Sequence, residues 1–304
     1  MALALAPADR LARNLQGAGW MALAMFGVAC NDALMKLVLP DIGMFQAILL
    51  RSALAAAAVA AVLARRGVLR PPPRQDLPWL ALRSAAEIGA TILYLEAVMR
   101  LRLAEVSAIN QVLPLLLTLA GVLLGERVGW RRWLAILAGF AGVMLIVRPG
   151  GEAFDPDALY AVGGMLCFGV REVVTRRTDP ATPHLLITFI TLMTVGTTGA
   201  VGSLVSPWAP MELWHVTAIV ASSVAIFVCY HAGVVAMRTG EIGFTAPFRY
   251  TVILWALILG FAVFGEIPDA RTMIGAAMIV AAGLYAFWRE RRTGAASARK
   301  GSAR

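Results

Sequence analysis

Arg249 is the only formally charged residue between Ile242 and Phe264, and it stands in "APFRYT", residues 246–251, two positions after Pro247. Six more ionisable side chains lie inside long apolar runs: Asp32, Arg51, Arg83, Glu87, Arg171 and Glu172, with His231 as a further polar candidate. A charge placed in hydrocarbon costs about 2.5–3.5 kcal/mol on insertion scales, so such residues face a partner or water. Arg249 follows Ile242 by seven residues, which is roughly 10 Å of helix at 1.5 Å per residue. Snorkelling from that depth is strained. A guanidinium stays protonated and presents a fork that fits a carboxylate or phosphate with two bonds. Two readings of Arg249 therefore stand together: an ion pair with Asp32 or Glu87, and an anchor for a substrate anion. A carboxylate could hold the guanidinium when the site is empty and release it to substrate.

The other charges separate by depth and spacing. Arg83 precedes Glu87 by four residues, so the two share a helical face and are expected to pair. Arg171 lies near Arg176 and Arg177, within snorkelling reach of the membrane surface. Glu87 and Asp32 are deep enough to serve as proton carriers in a coupled cycle, a role intramembrane carboxylates often take. Among the aromatic residues, Phe26, Tyr94, Tyr230 and Tyr250 are candidates to line a cavity, and His231 adds a polar ring.

The elements that hold these residues are legible from composition. The chain has 304 residues, 60% hydrophobic and 15% charged, against roughly a quarter charged in soluble domains. The apolar residues fall in ten blocks, 16–38, 43–64, 78–99, 104–124, 131–148, 157–175, 184–205, 213–236, 242–264 and 271–288. Each is long enough to approach or cross a hydrocarbon core of about 30 Å as a helix. A net charge of +9 does not imply a nucleic-acid partner, because of where the charge sits. With the N-terminus inside, eighteen Lys and Arg fall on the inner segments and five on the outer ones. That bias places both termini in the cytoplasm. Arg outnumbers Lys by 25 to 2, a weak pointer to a GC-rich bacterial genome and so to the inner membrane. No basic start followed by an apolar core marks a cleaved leader. Cys30, Cys167 and Cys229 form no metal-binding or disulfide spacing, so no metal and no cofactor is expected. The basic segment after residue 289 reads as a disordered tail.

The two halves repeat weakly. "MFGV" at 25–28 recurs as "CFGV" at 167–170, "MRLRLAEVSA" at 99–108 as "MRTGEIGFTA" at 237–246, and "LLGERVGWRRW" at 123–133 as "VFGEIPDARTM" at 263–273. Five helices per unit, an odd number, would insert the second copy inverted. Inverted repeats with broken helices near the midplane are a device of transporters. Pro114 and Pro247 fall in equivalent helices and each removes a backbone hydrogen bond. Polar groups stand beside each: Asn110 and Gln111 in the first half, Arg249 and Tyr250 in the second. The small-residue pairs Ala138 with Gly142 and Ala277 with Ala281 suit close packing of the fifth and tenth helices.

These features resemble the EamA-type family of the drug/metabolite transporter superfamily. The resemblance rests on a Pro-bearing helix, a Gly-Glu at its end (Gly125-Glu126 and Gly265-Glu266) and a Gly-rich helix after it, once in each half. "REVVTRR" at 171–177 and "APFRYT" are similar to a bacterial branch with S-adenosylmethionine-type uptake carriers and metabolite exporters. "YLEAV", with Glu96, departs from that branch's aromatic stretch at the end of the third helix. The resemblance implies an all-α membrane protein of ten transmembrane helices built as two inverted five-helix EamA repeats. It divides the chain into a cytoplasmic tail 1–15, repeats 16–149 and 150–289, and a basic tail 290–304. The expected function is secondary transport of a small organic metabolite carrying an anionic or zwitterionic group, by alternating access. A proton or a counter-solute would drive it, since no GxxxxGK[ST] motif is present. A homodimer stays open. The competing readings are a membrane scaffold or receptor without flux and an intramembrane enzyme; neither HExxH nor GxSxG occurs.

Overall fold

A computed structural model describes residues 7–66, 73–123, 129–149, 155–175, 177–179, 182–239 and 241–301. Among them there is no strand. The helices are α1 (Pro7–Ile42), α2 (Met44–Arg66), α3 (Leu77–Arg100), α4 (Leu103–Asn110), α5 (Leu113–Leu123), α6 (Trp130–Val147), α7 (Ala158–Thr175), α8 (His184–Val205), α9 (Leu213–Thr239), α10 (Ile242–Thr245), α11 (Thr251–Phe264) and α12 (Ala270–Gly301). One 3₁₀ turn at Arg74–Asp76 leads into α3, and another at Ala246–Tyr250 joins α10 to α11.

Among the described residues, eight spans are long and apolar enough to cross a membrane, two of them made of broken helices: Leu103–Gly121 and Ala246–Phe264. Two expected blocks miss that standard for physical reasons. α3 carries Arg83, Glu87 and Glu96 along its length. α6 opens with Trp130-Arg131-Arg132, so its apolar part is only Trp133–Val147. The basic tail, expected to be disordered from residue 290, continues α12 as helix to Gly301. Its Arg, Glu, Ala and Lys are good helix formers, and the helix is already nucleated by the span before it. Glu126, Arg127, Arg176 and Gly125 lie outside the described residues.

Turns between spans are tight. Gly43 alone separates α1 from α2, with φ +75, a left-handed conformation that glycine adopts without Cβ strain. Gly265, at φ +65, ends α11 in the same way.

Packing joins the two halves throughout. α1 lies mainly against α9 and α3 against α7, while α2 packs on α8, α4 on α11 and α6 on α12. Several of these contacts bring backbones together; on α8, a Cβ at Gly199 would stand 2.7 Å from the Leu49 nitrogen of α2. A Cβ at Gly27 would stand 2.7 Å from the Ala225 carbonyl of α9. A Cβ at Gly142 would meet the Gly275 carbonyl at 2.8 Å, and one at Gly275 would meet the Gly142 carbonyl at 2.7 Å. The α6–α12 crossing thus centres on Gly142 and Gly275. Ala277 and Ala281, expected to serve there, are exposed and line an apolar groove of about 420 Å³ with Ile253, Leu254 and Leu257 of α11.

Candidate functional site

Both proline-bearing spans are broken, and at corresponding points. α4 ends at Asn110 and α5 starts at Leu113, just before Pro114. α10 ends at Thr245, and the 3₁₀ turn holding Pro247 carries the chain into α11. Proline lacks the N–H that would bind the carbonyl four residues back, so each break frees backbone acceptors. Gln111, 9% exposed, spans the two: its Nε2 donates to the Arg249 carbonyl at 2.6 Å. Beside the breaks sit two buried oxygens without a hydrogen-bond partner, Asn110 Oδ1 and Thr245 Oγ1.

The Arg249 side chain is exposed, and the salt bridges among the described residues include none to it. The direction of that exposure follows from helical spacing. Val252, Ala256 and Gly260 are buried, whereas Leu254, Ile258 and Phe261 are exposed. Arg249 precedes the buried set by 3, 7 and 11 residues, which is one helical face. It lies roughly 140–180° around from Leu254 and Ile258 at 100–120° per residue. Helical register thus puts Arg249 on the face of its span that carries the buried Val252, Ala256 and Gly260. The turn that carries it packs on α1, and Cys229 of α9 lies against Gly27 of the same helix. Beyond the turn, α11 rises along α1: Trp255 meets Phe26 edge-on at 5.0 Å and donates to the Ala22 carbonyl.

Asp32, 5% exposed, sits further along α1. It accepts from Tyr94 Oη at 2.7 Å and from Asn31 Nδ2 at 3.0 Å. Asn31 in turn accepts from Ser222 Oγ at 2.7 Å and, more weakly, from Arg51 at 3.5 Å. Tyr94 packs edge-on against Phe168 at 5.7 Å, and Arg171 covers the Phe168 ring at 4.8 Å. Arg171 then binds Glu87 at 3.1 Å and Glu172 at 2.7 Å. The carboxylate of Glu87 is thus held across α3 and α7 by Arg171, while Arg83 donates to Thr175 and Thr191. Arg171 does not run to the surface as expected; it is drawn sideways by two carboxylates.

The remaining candidates divide. Tyr250 turns toward α12, where its phenol occupies the space left by Gly283, and it lines the apolar groove with Leu284. His231 is exposed and stacks on exposed Phe227 at 6.3 Å, in one stripe with Val220 and Val224; the fold does not bring it to Arg249. The Tyr230 side chain lies outside the described residues. Sequence reasoning missed Asn31, Ser222 and Lys36. Lys36, one of the five charges that the sequence puts on the outer segments with Arg100, Arg102, Arg148 and Arg271, is only 12% exposed and pairs with Glu266 at 2.5 Å. Their separation of 230 residues left no local signal.

Residues 15–148 match the EamA-like transporter family. That match and the transporter names of the relatives support the resemblance to the drug/metabolite transporter superfamily. The relatives bear transporter names too, which speaks for a transporter rather than an enzyme. The S-adenosylmethionine uptake transporter of Rickettsia prowazekii (strain Madrid E) is 24% identical over 184 residues, 58% of this chain. The matched stretch spans 60% of that relative's length. The riboflavin transporter of Vibrio cholerae serotype O1 is 24% identical over 281 residues, covering 88% of this chain and 91% of that protein. A crystal structure at 22% identity superposes with a TM-score of 0.61 over 93% of this chain and 99% of its own, which shows a shared fold.

Proposed function

We propose that this protein is a secondary transporter that moves a small organic solute with an anionic or zwitterionic group across the bacterial inner membrane by alternating access. The observation that carries the reading is Arg249: a guanidinium with no ion-pair partner among the described residues, exposed on the protein-facing side of a broken span. There it binds the solute's anionic group with charge-assisted hydrogen bonds. Asp32, buried on α1, gives the site a negative pole for a zwitterion's cationic end.

The scaffold is read as two inverted repeats, 16–149 and 150–289, with both termini cytoplasmic. The packing supports this. If the ten spans are numbered in order and the halves exchange, the contacts of span one with eight and three with six become each other, while two with seven, four with nine and five with ten map onto themselves. Alternating access is then a rocking of one unit on the other about the breaks. Among the carboxylates, Glu87 is committed to Arg171. Asp32 has no salt bridge within 4.0 Å among the described residues and is the better proton carrier, its proton exchanging with the Tyr94 and Asn31 hydrogen bonds in place. The names of the relatives add S-adenosylmethionine and riboflavin to the solutes worth testing first.

The test is a thermal-shift screen of metabolites on purified protein and on Arg249→Ala. A solute that stabilises the wild type and loses its effect in the variant is expected. Solutes that stabilise both equally remove Arg249 from the site.

A further inference from the structure

Lys36 and Glu266 form a cross-half contact unlike the others near it. Their side chains are 12% and 13% exposed. Lys36 Nζ, from the end of α1, donates to Glu266 Oε1 at 2.5 Å and to the Leu101 carbonyl, and its ammonium faces the Phe264 ring at 5.2 Å. The second carboxylate oxygen, Glu266 Oε2, accepts the Leu103 N–H at 2.9 Å. Leu103 opens α4, so a carboxylate from the second half satisfies one of the free N–H groups at the start of the broken span in the first half. Glu266 itself follows Gly265, the left-handed cap of α11, the other broken span. One ion pair therefore pins the ends of both broken spans, on the side away from the termini, to α1.

Neighbouring ties do not do this. Arg148 with Asp269 and His215 with Asp41 each join two corners, and each has a well-exposed carboxylate. Arg100 pairs with Glu96 on α3 and reaches Asp157 at 3.5 Å, with its own side chain 41% exposed. Only a contact that holds α4 and α11 together can close the space between them, and only a buried one costs enough to break to keep it closed.

We propose that Lys36–Glu266 is the outer closure of the translocation path, with Glu266 the positioning residue that holds α4 and α11 together until the pair separates. This rests on the transporter reading above but not on Arg249. Opening requires the ammonium and carboxylate to part into water, and the first turn of α4 then loses its side-chain acceptor.

The test uses Cys229, which lies against Gly27, nine residues before Lys36 on α1, as a reporter in a Cys30→Ala, Cys167→Ala background. A membrane-impermeant maleimide is added to right-side-out or to inverted vesicles. Lys36→Met and Glu266→Gln are expected to speed labelling about tenfold from the outer face only, as a closure shifted by about 1.4 kcal/mol would. Lys36→Arg, which keeps the charge, should label like the parent. Glu266→Gln retains the side-chain shape and an acceptor for Leu103 N–H, so it reports even where Lys36→Met folds poorly. Unchanged labelling in both variants overturns the proposal, and so does equal acceleration from both faces, which marks general loosening. In an Arg249→Ala background, Glu266→Gln should still speed labelling about tenfold over its own parent, so the closure and the Arg249 reading fail separately.

Discussion

The two broken spans share a backbone plan and differ in chemistry. Each loses its helix near a proline, each ends its first piece in a buried oxygen without a partner, and the two touch through Gln111 and the Arg249 carbonyl. The first-half break presents neutral amides. The second-half break carries a permanent cation, Arg249. On the proposed function, a duplicated scaffold stays symmetric where it rocks and becomes asymmetric where it recognises. The first break then serves as structure and the second as site, and the two should respond oppositely to mutation.

The largest effect is expected at the second break. Arg249→Ala should weaken solute binding about 30- to 150-fold, the loss of a charge-assisted contact of about 2–3 kcal/mol, measured by titration calorimetry. Its melting temperature without solute should stay close to the wild-type value, because no salt bridge among the described residues is lost. Next comes the crossing where both halves contribute alike. Gly142→Val or Gly275→Val would press a side chain into the opposing carbonyl. Each should cost about 1–3 kcal/mol of stability, read as a lower midpoint in denaturant, and the two should be similar in size. At the first break, Gln111→Leu leaves the Arg249 carbonyl without its donor. A loss of about 1–2 kcal/mol with solute affinity changed severalfold at most would sustain the contrast; a binding defect as large as that of Arg249→Ala would erase it.

Much of this contrast was legible in the residues. Proline acts on its own helix, so Pro114 and Pro247 announced both breaks, and an unsatisfied charge between Ile242 and Phe264 announced Arg249. What stayed hidden depended on contacts between distant helices. Spacing along α3 put Arg83 four residues before Glu87, but nothing local could show that α7 delivers Arg171 to that carboxylate. Lys36 looked like a surface charge because its partner lies at the far end of the chain. His231 looked like a cavity residue because a polar ring in an apolar span draws notice, yet its register follows the exposed Val220, Val224 and Phe227. The length of α12 was misjudged for the opposite reason, since a basic tail of good helix formers extends a helix that has already begun.

The smallest expected effect lies at the outer corner between the breaks and the final span. Asp269 is held down to about 2 from 3.8, first by the Thr272 backbone N–H and then by Arg148. A carboxylate whose folded value is depressed adds stability above its unfolded value and loses it as pH falls through the folded one. The wild type should therefore lose a little more stability than Asp269→Asn as pH falls from 3.8 toward 2, seen as a steeper fall in melting temperature. The effect is small because the corner is largely solvated.

The central claim is that the Arg249 position meets water inside the protein. The direct measurement is made on Arg249→Cys in a chain with Cys30, Cys167 and Cys229 replaced by Ala, embedded in bilayers. A water-soluble, charged thiol reagent should modify it readily, and a solute that stabilises the wild type should not protect a control cysteine at Ile258 on the opposite face. A cysteine at 249 that resists the aqueous reagent, yet is quenched by a lipid-borne spin label as strongly as one at Ile258, would place the cation among acyl chains and contradict the account.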